Sequence, residues 1–386
     1  MYDIFISEAS ENQEIVIMEN GLLTEKITIE KSSQNIEGNI YVGKVQNVLP
    51  GLQAAFIDIG QDKNTFIHLK DILPKVDESS ETYNDNDVNI KDIIKPGMNL
   101  LVQVRRAESS KKGARVSTHI SLSGKYLVLM PNANFITISQ KIENKKECDR
   151  LKELFKELLP KDMGAIVRTS AQRKEKDDIE NEINSLVQEW NTIQKEKEMA
   201  KKVPCLIHKG HSAIERILND IDEKNINSIT VNDKETYEII KQLSKNSSNI
   251  KISLKSNLFE NYDIQKQLDE LGKRKIWLKC GGFITIDKTE ALTAIDVNSG
   301  KFIGKQTLEQ TVYTVNREAT IEIAKQLKLR DIGGIIIIDY IDMHDIQNKE
   351  KIEELLKEEL KKDRSKTQVL GFTKLNLLEM TRKHIN

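Results

Sequence analysis

Two stretches of the sequence decide the fold: Ala291-Leu-Thr-Ala-Ile-Asp296-Val-Asn298 and Gly333-Gly-Ile-Ile-Ile-Ile-Asp339-Tyr-Ile-Asp342. Each is an apolar run, typical of a buried strand, that ends in an aspartate. A carboxylate in that position costs free energy unless its charge finds a partner. We therefore predict two neighbouring strands of one sheet, with Asp296 and Asp339 side by side at its edge.

The side chains at this edge predict a site for a divalent cation. Two close carboxylates repel each other, and a divalent cation removes that repulsion. Asn298 lies two residues beyond Asp296, so on a strand it points to the same face. Such a small oxygen-rich site suits Mg²⁺, although capping and turn hydrogen bonds are the alternative use of the aspartates. Asp342 should face the other way on an extended strand, and we interpret it as structural or as a cap of the next helix.

The composition is typical of a soluble, globular protein with several domains. The chain has 386 residues, of which 38% are hydrophobic and 31% are charged, enough for two or three domains with real cores. No apolar run is long enough to span a membrane, and the N-terminus lacks the regions of a signal peptide, so we expect a cytoplasmic protein. The three cysteines have no zinc-ligand spacing and are interpreted as unpaired thiols.

The net charge of −1 by itself argues against nonspecific binding of nucleic acid. The local pattern differs, because seven basic residues and one acid lie between Lys95 and Lys125, a net charge of +6. The basic residues are Lys95, Arg105, Arg106, Lys111, Lys112, Arg115 and Lys125, and the acid is Glu108. This segment is either a solvated basic face or a binding surface for a polyanion.

Five segments follow one another along the chain. Residues 1–35 are short strands that must complete a sheet formed elsewhere. Residues 36–118 contain about five short strands with glycine turns, which suggests a small barrel of the OB type. Residues 119–212 combine strands with two helices. Residues 213–277 and 278–386 alternate helix and strand, which predicts parallel sheet pairing.

Local signals predict individual elements within these segments. Asn20-Gly21 predicts a hairpin turn, and Thr307 with Gln310 resembles a capping box at the start of a helix that ends near Leu329. The polar insert from Asp77 to Asn89 predicts a disordered loop. An apolar stripe predicts the buried face of a long helix: Ile179, Ile183, Leu186, Trp190 and Ile193.

Three motifs together resemble the ribonuclease E/G family. They are the segment from Gly282 to Gly300, the segment from Leu329 to Met343, and Leu377-Leu-Glu-Met-Thr-Arg-Lys. The resemblance covers nearly the whole chain. It implies an endonuclease for single-stranded RNA that leaves a 5′-phosphate and a 3′-hydroxyl.

The same resemblance implies an architecture for the five segments. An RNase H-like subdomain, 1–35 and 213–277, is split by an OB-fold RNA-binding domain, 36–118, and a 5′-end sensor domain, 119–212. A DNase I-like catalytic subdomain, 278–386, follows. The expected fold is therefore a multidomain α/β protein with an inserted barrel.

The resemblance also assigns roles at the carboxylate edge and on the barrel. It implies that Asp296 and Asp339 hold Mg²⁺ and that Asn298 is the third member of the catalytic site. It places RNA against three residues of the barrel segment: Phe56, Phe66 and Lys112. Alternation along the strands leaves open whether the two phenylalanines fill the barrel interior instead.

The 5′-end sensor of the family matches at Gly124, Val128, Arg168 and Thr169, where an arginine fork and a hydroxyl would bind a terminal monophosphate. An ordinary strand end with a surface arginine is the alternative. A further basic contact is an arginine in some members, and here that position is Lys374. Because lysine binds phosphate as a point charge, the change predicts weaker sensing.

The sequence departs from the family at its end, since it stops at Asn386 without the Cys-x-x-Cys zinc link and the small domain that follow in the family. Zinc and the usual homodimer or tetramer are therefore left open. The expected activity is Mg²⁺-dependent cleavage of A/U-rich single-stranded RNA in rRNA precursors and mRNA, stimulated by a 5′-monophosphate. The alternative is an RNA-binding protein without turnover.

Overall fold

The computed structural model describes residues 1–30, 36–73, 88–106, 113–221, 223–244, 250–300, 307–363 and 365–384. Most of the predicted loop from Asp77 to Asn89, and Lys112 of the predicted RNA contacts, lie outside these described residues. The chain divides into two compact units: unit 1 is Met1–Glu30 with Lys224–Asn386, and unit 2 is Lys31–Glu223. Within the described residues, no helix is long and apolar enough to cross a membrane.

The structure is a mixed α/β fold. Its strands, in chain order, are β1 (Tyr2–Glu8), β2 (Asn12–Glu19), β3 (Leu22–Glu30), β4 (Ile40–Leu49), β5 (Ala54–Asp58), β6 (Thr65–His68), β7 (Asn99–Arg106), β8 (Arg115–Ser117), β9 (Leu122–Ser123), β10 (Leu127–Met130), β11 (Ile136–Ile138), β12 (Gly164–Val167), β13 (Cys205–His208), β14 (Ile226–Val231), β15 (Lys251–Leu254), β16 (Lys275–Trp277), β17 (Phe283–Lys288), β18 (Leu292–Asn298), β19 (Gly334–Asp339), β20 (Thr367–Phe372) and β21 (Leu377–Arg382). Its α-helices are α1 (Ile90–Ile93), α2 (Lys145–Leu158), α3 (Lys176–Met199), α4 (Ala213–Asp220), α5 (Lys234–Leu243), α6 (Leu258–Asn261), α7 (Ile264–Leu271), α8 (Leu308–Leu329) and α9 (Ile346–Leu360).

The first sheet of unit 1 joins the two ends of a long insertion. Its strand order is β15-β14-β1-β2-β3, with β1 parallel to β14 and β14 parallel to β15. The prediction that the N-terminal strands complete a sheet formed elsewhere is therefore confirmed. The hairpin between β2 and β3 turns at Asn20 and Gly21, which both have positive φ, as the predicted two-residue turn requires.

The second sheet of unit 1 carries the two aspartate-terminated runs. Its order is β16-β17-β18-β19-β21-β20, in which β18 and β19 are parallel. Its inner face packs on α8 and α9 through buried aliphatic residues, among them Ile336, Ile338, Val315, Ile323 and Leu356. The Thr307–Gln310 capping box is present at the start of α8, as predicted.

Unit 2 contains the predicted barrel. Strands β4, β5, β6, β8 and β7 follow one another around a ring, and β7 pairs back to β4, so five strands close on themselves. The interior holds alternate aliphatic residues such as Val45, Ile57, Ile67, Val102 and Val116. The OB-like barrel expected from the short strands and glycine turns is confirmed.

The rest of unit 2 is a small four-stranded sheet, ordered β11-β12-β10-β9, with α2 and α3 against it. The predicted apolar stripe of α3 is buried along its whole length, from Ile179 to Ile193. The interpretation of the stripe as core is therefore confirmed.

Candidate functional site

Asp296 and Asp339 lie directly opposite each other in the second sheet of unit 1. Parallel strands β18 and β19 pair them in register, and both side chains are exposed. The neighbouring positions on each strand, Ile295 and Ile338, are buried in the core. Strand alternation thus holds both carboxylates on the outer face, side by side, as the two apolar runs predicted.

The carboxylate edge carries uncompensated negative charge. Partial burial, followed by the charges of Asp296 and Asp342, raises the pKa of Asp339. Arg274 donates its hydrogen bonds to the carboxylate of Asp287, at 2.5 and 2.6 Å. That pairing, followed by the charge of Asp296, raises the pKa of the Arg274 guanidinium. Across the described part of the chain, no lysine or arginine forms an ion pair with these three aspartates. The edge therefore favours a cation that comes from solution.

Asn298 lies beside the aspartates and fixes one of them. Its amide Nδ2 donates to Asp296 Oδ2 at 2.5 Å, so both side chains point to the same face, as their spacing predicted. The amide oxygen of Asn298 adds a neutral oxygen ligand to the two carboxylates. Asn298 can therefore orient Asp296 and also face a cation or phosphate.

Asp342 is not the cap of the next helix. The N-cap of α9 is Asp345, whose carboxylate accepts from the Gln347 amide at 2.9 Å. Asp342 instead accepts from Asn376 Nδ2 at 3.4 Å, and its charge contributes to the raised pKa of Asp339. Our use of strand alternation was wrong here because β19 ends at Asp339, so the alternation does not extend to Asp342.

The donor set fits a hard cation that keeps part of its water shell. Within the described residues, no group of three or more His, Cys, Asp or Glu side chains is arranged to hold a metal ion. The edge offers two carboxylates and one amide, all with oxygen donors. Mg²⁺ is commonly bound by one or two carboxylates together with waters and phosphate oxygens.

The three cysteines are free thiols, as expected from their spacing.

Phe56 and Phe66 lie on the outside of the barrel. They face each other across β5 and β6, with ring centroids 6.2 Å apart and ring planes at 71°. Their neighbours Ala55, Ile57 and Ile67 fill the barrel core, whereas the two rings are half-buried. The alternative that they fill the interior is therefore wrong.

One row of side chains runs across this outer face of the barrel. The strand register aligns Asn47, Phe56, Phe66, Arg115 and Arg106 in that order. In-register residues of a sheet share a face. Aromatic rings therefore lie between an amide and two guanidinium groups, which is a surface suited to single-stranded nucleic acid.

The basic segment is less positive at its surface than its sequence suggests. Arg105 turns inward and donates to Ser121 Oγ at 2.7 Å, and burial lowers its pKa. Arg115 is paired with Asp71 at 2.7 Å, and Lys125 with Glu223 at 2.9 Å. The spacing of basic residues in the sequence does not show which of them pair with other protein groups and which face solvent.

The predicted sensor residues of unit 2 surround one arginine. Arg168 Nη1 donates to the Gly124 carbonyl at 2.7 Å, and its other nitrogen Nη2 pairs with the carboxylate of Asp220. Thr169 directly follows and is exposed, with Oγ1 3.2 Å from Ser139 Oγ. Arg168 and Thr169 therefore present a fork and a hydroxyl close together.

Val128 and Gly124 are held in place by strand pairing and by a buried carboxylate. Val128 on β10 pairs with Ser123, the residue before Gly124. A Cβ on Gly124 would lie 2.7 Å from the Glu182 carboxyl carbon. Glu182 accepts from the amides of Lys125 and Tyr126 at 2.6 and 2.7 Å, and burial raises its pKa.

Lys374, the fifth predicted sensor residue, belongs to unit 1. It lies on the tight turn between β20 and β21, in which the Thr373 amide donates to the Leu377 carbonyl at 2.8 Å. Asn376 of the same turn contacts Asp342. Within unit 1, the structure therefore places Lys374 near the carboxylate edge.

Glu182 and Asp220 both contact predicted sensor residues, although neither stands out in the sequence. Glu182 lies on α3, four residues before Leu186 of the buried stripe, and there a carboxylate resembles one of many surface charges. Its long-range contacts with the amides of Lys125 and Tyr126 come from the packing of α3 on β10. A helical pattern contains no signal for such a contact.

Comparison with known proteins defines the class to which this fold and these surfaces belong. A sequence model of the Ribonuclease E/G family matches residues 121–385. Ribonuclease G of Salmonella typhimurium is 34% identical over 391 residues, which cover 99% of this chain and 79% of that protein. Ribonuclease G of Haemophilus influenzae is 35% identical over 379 residues, covering 96% and 77%. A putative ribonuclease E of Buchnera aphidicola is 39% identical over 355 residues, covering 90% and 86%.

The chain therefore belongs to the ribonuclease E/G family, as its motifs predicted. It is an endoribonuclease, a hydrolase that binds and cleaves RNA.

Proposed function

We propose that this enzyme hydrolyses single-stranded, A/U-rich RNA with Mg²⁺, leaving a 5′-phosphate and a 3′-hydroxyl, and that its substrates are rRNA precursors and mRNA in the cytoplasm. The observation that carries the proposal is the exposed pair Asp296 and Asp339, held in register and without an ion-pair partner among the described residues. Like charges held together in this way are stabilised by a divalent cation. The family membership makes the phosphodiester of RNA the bond to be cut.

The residues of the edge have separate roles in this proposal. Asp296 and Asp339 would hold the cation, and Asn298 keeps Asp296 oriented through its 2.5 Å hydrogen bond. Mg²⁺, when bound, neutralises charge on the phosphate and makes a coordinated water more acidic. Asp342 adds negative charge at the edge and so strengthens the attraction for the cation.

The aromatic row on the barrel is proposed to hold the RNA strand. Stacking of bases on Phe56 and Phe66 contributes about 1–3 kcal/mol per base and tolerates any sequence. Lys112 would add a phosphate contact, as the family resemblance implies. Because phosphate contacts weaken as the salt concentration rises, the affinity for RNA should fall with increasing salt.

A 5′-monophosphate is proposed to bind at Gly124, Val128, Arg168 and Thr169, with Lys374 as a further basic contact. The fork of Arg168 and the exposed hydroxyl of Thr169 support this, because a terminal phosphate has open oxygens for both. The phosphate would replace or share the contact that Arg168 makes with Asp220.

The architecture is proposed to follow the family. Residues 1–35 with 213–277 would form an RNase H-like subdomain, 36–118 the RNA-binding barrel, 119–212 the 5′-sensor domain, and 278–386 a DNase I-like catalytic subdomain. The parallel pairing of β1 with β14 and of β18 with β19 supports the first and last assignments.

The experiment is cleavage of a short 5′-monophosphorylated A/U-rich RNA with and without Mg²⁺. The wild-type enzyme, Asp339→Asn and the matched control Asp287→Asn are compared, because Asp287 lies on the adjacent strand and its partner is Arg274. We expect cleavage by the wild-type enzyme and the control only. Equal rates for Asp339→Asn and wild type would refute the assignment, and tight binding without products at high Mg²⁺ would show a binding protein instead.

The sensor is tested with Arg168→Lys, which keeps the charge and removes the fork. The measured quantity is the ratio of cleavage rates for 5′-monophosphate and 5′-hydroxyl forms of one RNA. We expect the ratio to fall, with the 5′-hydroxyl rate unchanged. Arg150→Lys serves as the control, because the exposed guanidinium of Arg150 pairs with Glu147 in the same unit. This variant should leave the ratio unchanged.

A further inference from the structure

An exposed aromatic pair lies on the same sheet as the catalytic aspartates. Trp277, in the edge strand β16, is 59% exposed. It packs against Phe283 of β17, with ring centroids 5.3 Å apart and planes at 63°. Tryptophan is enriched at binding surfaces because one part of its ring system is apolar and its N–H remains available to a polar partner.

A lysine adds positive charge to this pair. Lys275 Nζ lies 4.1 Å from the centroid of the Trp277 ring and 3.6 Å from that of Phe283. At these distances the ammonium is attracted to the ring faces. Aromatic faces combined with a nearby cation are the two elements by which proteins bind single-stranded nucleic acid.

The strand register connects the aromatic pair to the carboxylate edge. Trp277 pairs with Phe283, and Phe283 pairs with Asn298. A second row, two residues away, runs from Lys275 through Thr285 to Asp296 and Asp339. Two strand spacings of about 4.8 Å separate β16 from β18, so Trp277 is about 10 Å from Asn298 along the sheet.

The outer face is shared by all these side chains. The alternate residues Ile284 and Val297 are buried in the core of unit 1, and Ile276 packs against it. Trp277, Phe283, Lys275, Asn298 and the aspartates therefore point to the opposite side of the sheet. An RNA strand held at the aspartates passes within reach of Trp277.

We propose that Trp277 and Phe283 form a stacking subsite for one nucleobase of the substrate close to the scissile phosphate, and that Lys275 contacts the adjoining backbone phosphate. The subsite is separate from the phenylalanines of the barrel, which lie in unit 2. It rests on the proposed RNA hydrolysis at Asp296 and Asp339. Stacking accepts any base, so the subsite positions the strand without selecting its sequence.

The test is a double-mutant cycle, in which the protein change Trp277→Ala and the removal of one base from the RNA are made singly and together. The abasic position is moved through each nucleotide around the cleavage site, and kcat/KM is measured for every pair. At one position, we expect the abasic change to lower kcat/KM of the wild-type enzyme about 5- to 160-fold, the range given by stacking of one base. With Trp277→Ala, the penalty at that position should disappear, while penalties elsewhere remain.

Three variants serve as controls for this cycle. Trp277→Phe keeps an aromatic face and should retain most of the penalty. Leu370→Ala removes an equally exposed side chain, 59%, from the other edge strand of the same sheet and should leave every penalty unchanged. Lys275→Ala should lower the dependence of log affinity on log salt concentration by about 0.7, the value for one phosphate contact in a single strand.

The outcomes separate this inference from the proposed function. Absence of cleavage of intact RNA by the wild-type enzyme would overturn the proposed function. Normal cleavage with the same abasic penalties in wild type and Trp277→Ala would overturn the stacking subsite alone. If the abasic penalties are the same in both proteins and sedimentation shows a smaller oligomer for Trp277→Ala than for wild type, the aromatic pair contacts a second copy of the chain instead of RNA.

A direct binding measurement uses the two tryptophans of the chain. Trp190 is 7% exposed, so a soluble quencher such as acrylamide reaches mainly Trp277. In the Asp339→Asn background, which keeps the RNA intact, we expect RNA to protect the exposed component from the quencher. Trp277→Phe should lose that component, and unchanged quenching in the presence of saturating RNA would contradict the proposal.

Discussion

The two ends of strand β19 hold charge in opposite ways. At its first residue, Gly334 pairs with Arg382 of β21, whose side chain is completely buried. Arg382 is neutralised by Asp363 at 2.7 Å and Asp331 at 2.8 Å. At its last residue, Asp339 faces Asp296 and lies near Asp342, and within the described residues no basic side chain pairs with them.

The difference separates buried charge, which must be balanced within the fold, from exposed charge, which need not be. Arg382 also donates to the Ile332 carbonyl at 3.0 Å, so it joins β21 to the segment that leads into β19. Burial demands this balance, because an unpaired buried charge is very costly. The aspartates at the other end are exposed, so water screens their repulsion and the fold tolerates it.

The balanced end is tested by Arg382→Met, which should have the largest effect on stability. Removing the guanidinium breaks a buried ion pair with Asp363, whose side chain is 3% exposed, and should lower the free energy of unfolding by about 3–5 kcal/mol. Urea unfolding followed by circular dichroism measures it. Arg274→Met breaks an exposed pair in the same unit and should destabilise the fold far less, because water screens exposed ion pairs. Equal costs would contradict the distinction between the two kinds of charge.

The unbalanced end is tested by Asp339→Asn. Loss of one carboxylate should lower kcat/KM on the order of 10²–10³-fold, because the cation contributes several kcal/mol to the transition state. The melting temperature should stay the same or rise, since a repulsive charge is removed. A large loss of stability would instead assign Asp339 a structural role like that of Arg382.

Asn298→Ala should have an intermediate effect. The variant removes the hydrogen bond that orients Asp296. Loss of such a supporting contact should lower the apparent Mg²⁺ affinity or the activity about 10- to 100-fold. Titration of the cleavage rate with Mg²⁺ measures the apparent affinity. An unchanged Mg²⁺ dependence would show that the amide does not support the site.

Asp342→Asn should have the smallest effect, seen in the dependence on pH. The pKa of Asp339 is raised by partial burial and by the charges of Asp296 and Asp342, so activity should fall on acidification at a higher pH than that of an ordinary aspartate, near 3.9. Removing the Asp342 charge, which is the last of the three causes of the raised pKa of Asp339, should move this acid limb to lower pH. A shift to higher pH would contradict the charge coupling.

The same raised pKa fixes the sign of the stability effect. The folded protein holds the Asp339 proton more tightly than the unfolded chain, so without a cation the free energy of unfolding falls as pH rises through the raised pKa. Asp339→Asn should lack this component, which urea unfolding between about pH 4 and pH 7 would detect as a smaller decrease with pH.

Much of the fold could be predicted because local patterns and burial agree. The apolar runs before Asp296 and Asp339, the Asn20-Gly21 turn and the capping box of Thr307 each specify an element without reference to the rest of the chain. The outward position of Phe56 and Phe66 could not be predicted, since an alternating strand shows two faces and only ring closure decides which is inside. Of the two interpretations of Asp342, only the helix cap was wrong, because α9 begins after Asp345.

The sequence by itself determined that two buried strands end in carboxylates, that short strands with a basic segment precede them, and that the motifs are those of the ribonuclease E/G family. Only the tertiary structure decided which charges are balanced. Arg105 and Arg382 turn inward to partners, Arg115 meets Asp71, and the aspartates at the end of β19 meet no basic partner among the described residues. Charge is a property of a residue, but its compensation depends on distance, and distances between remote residues arise only when the chain folds.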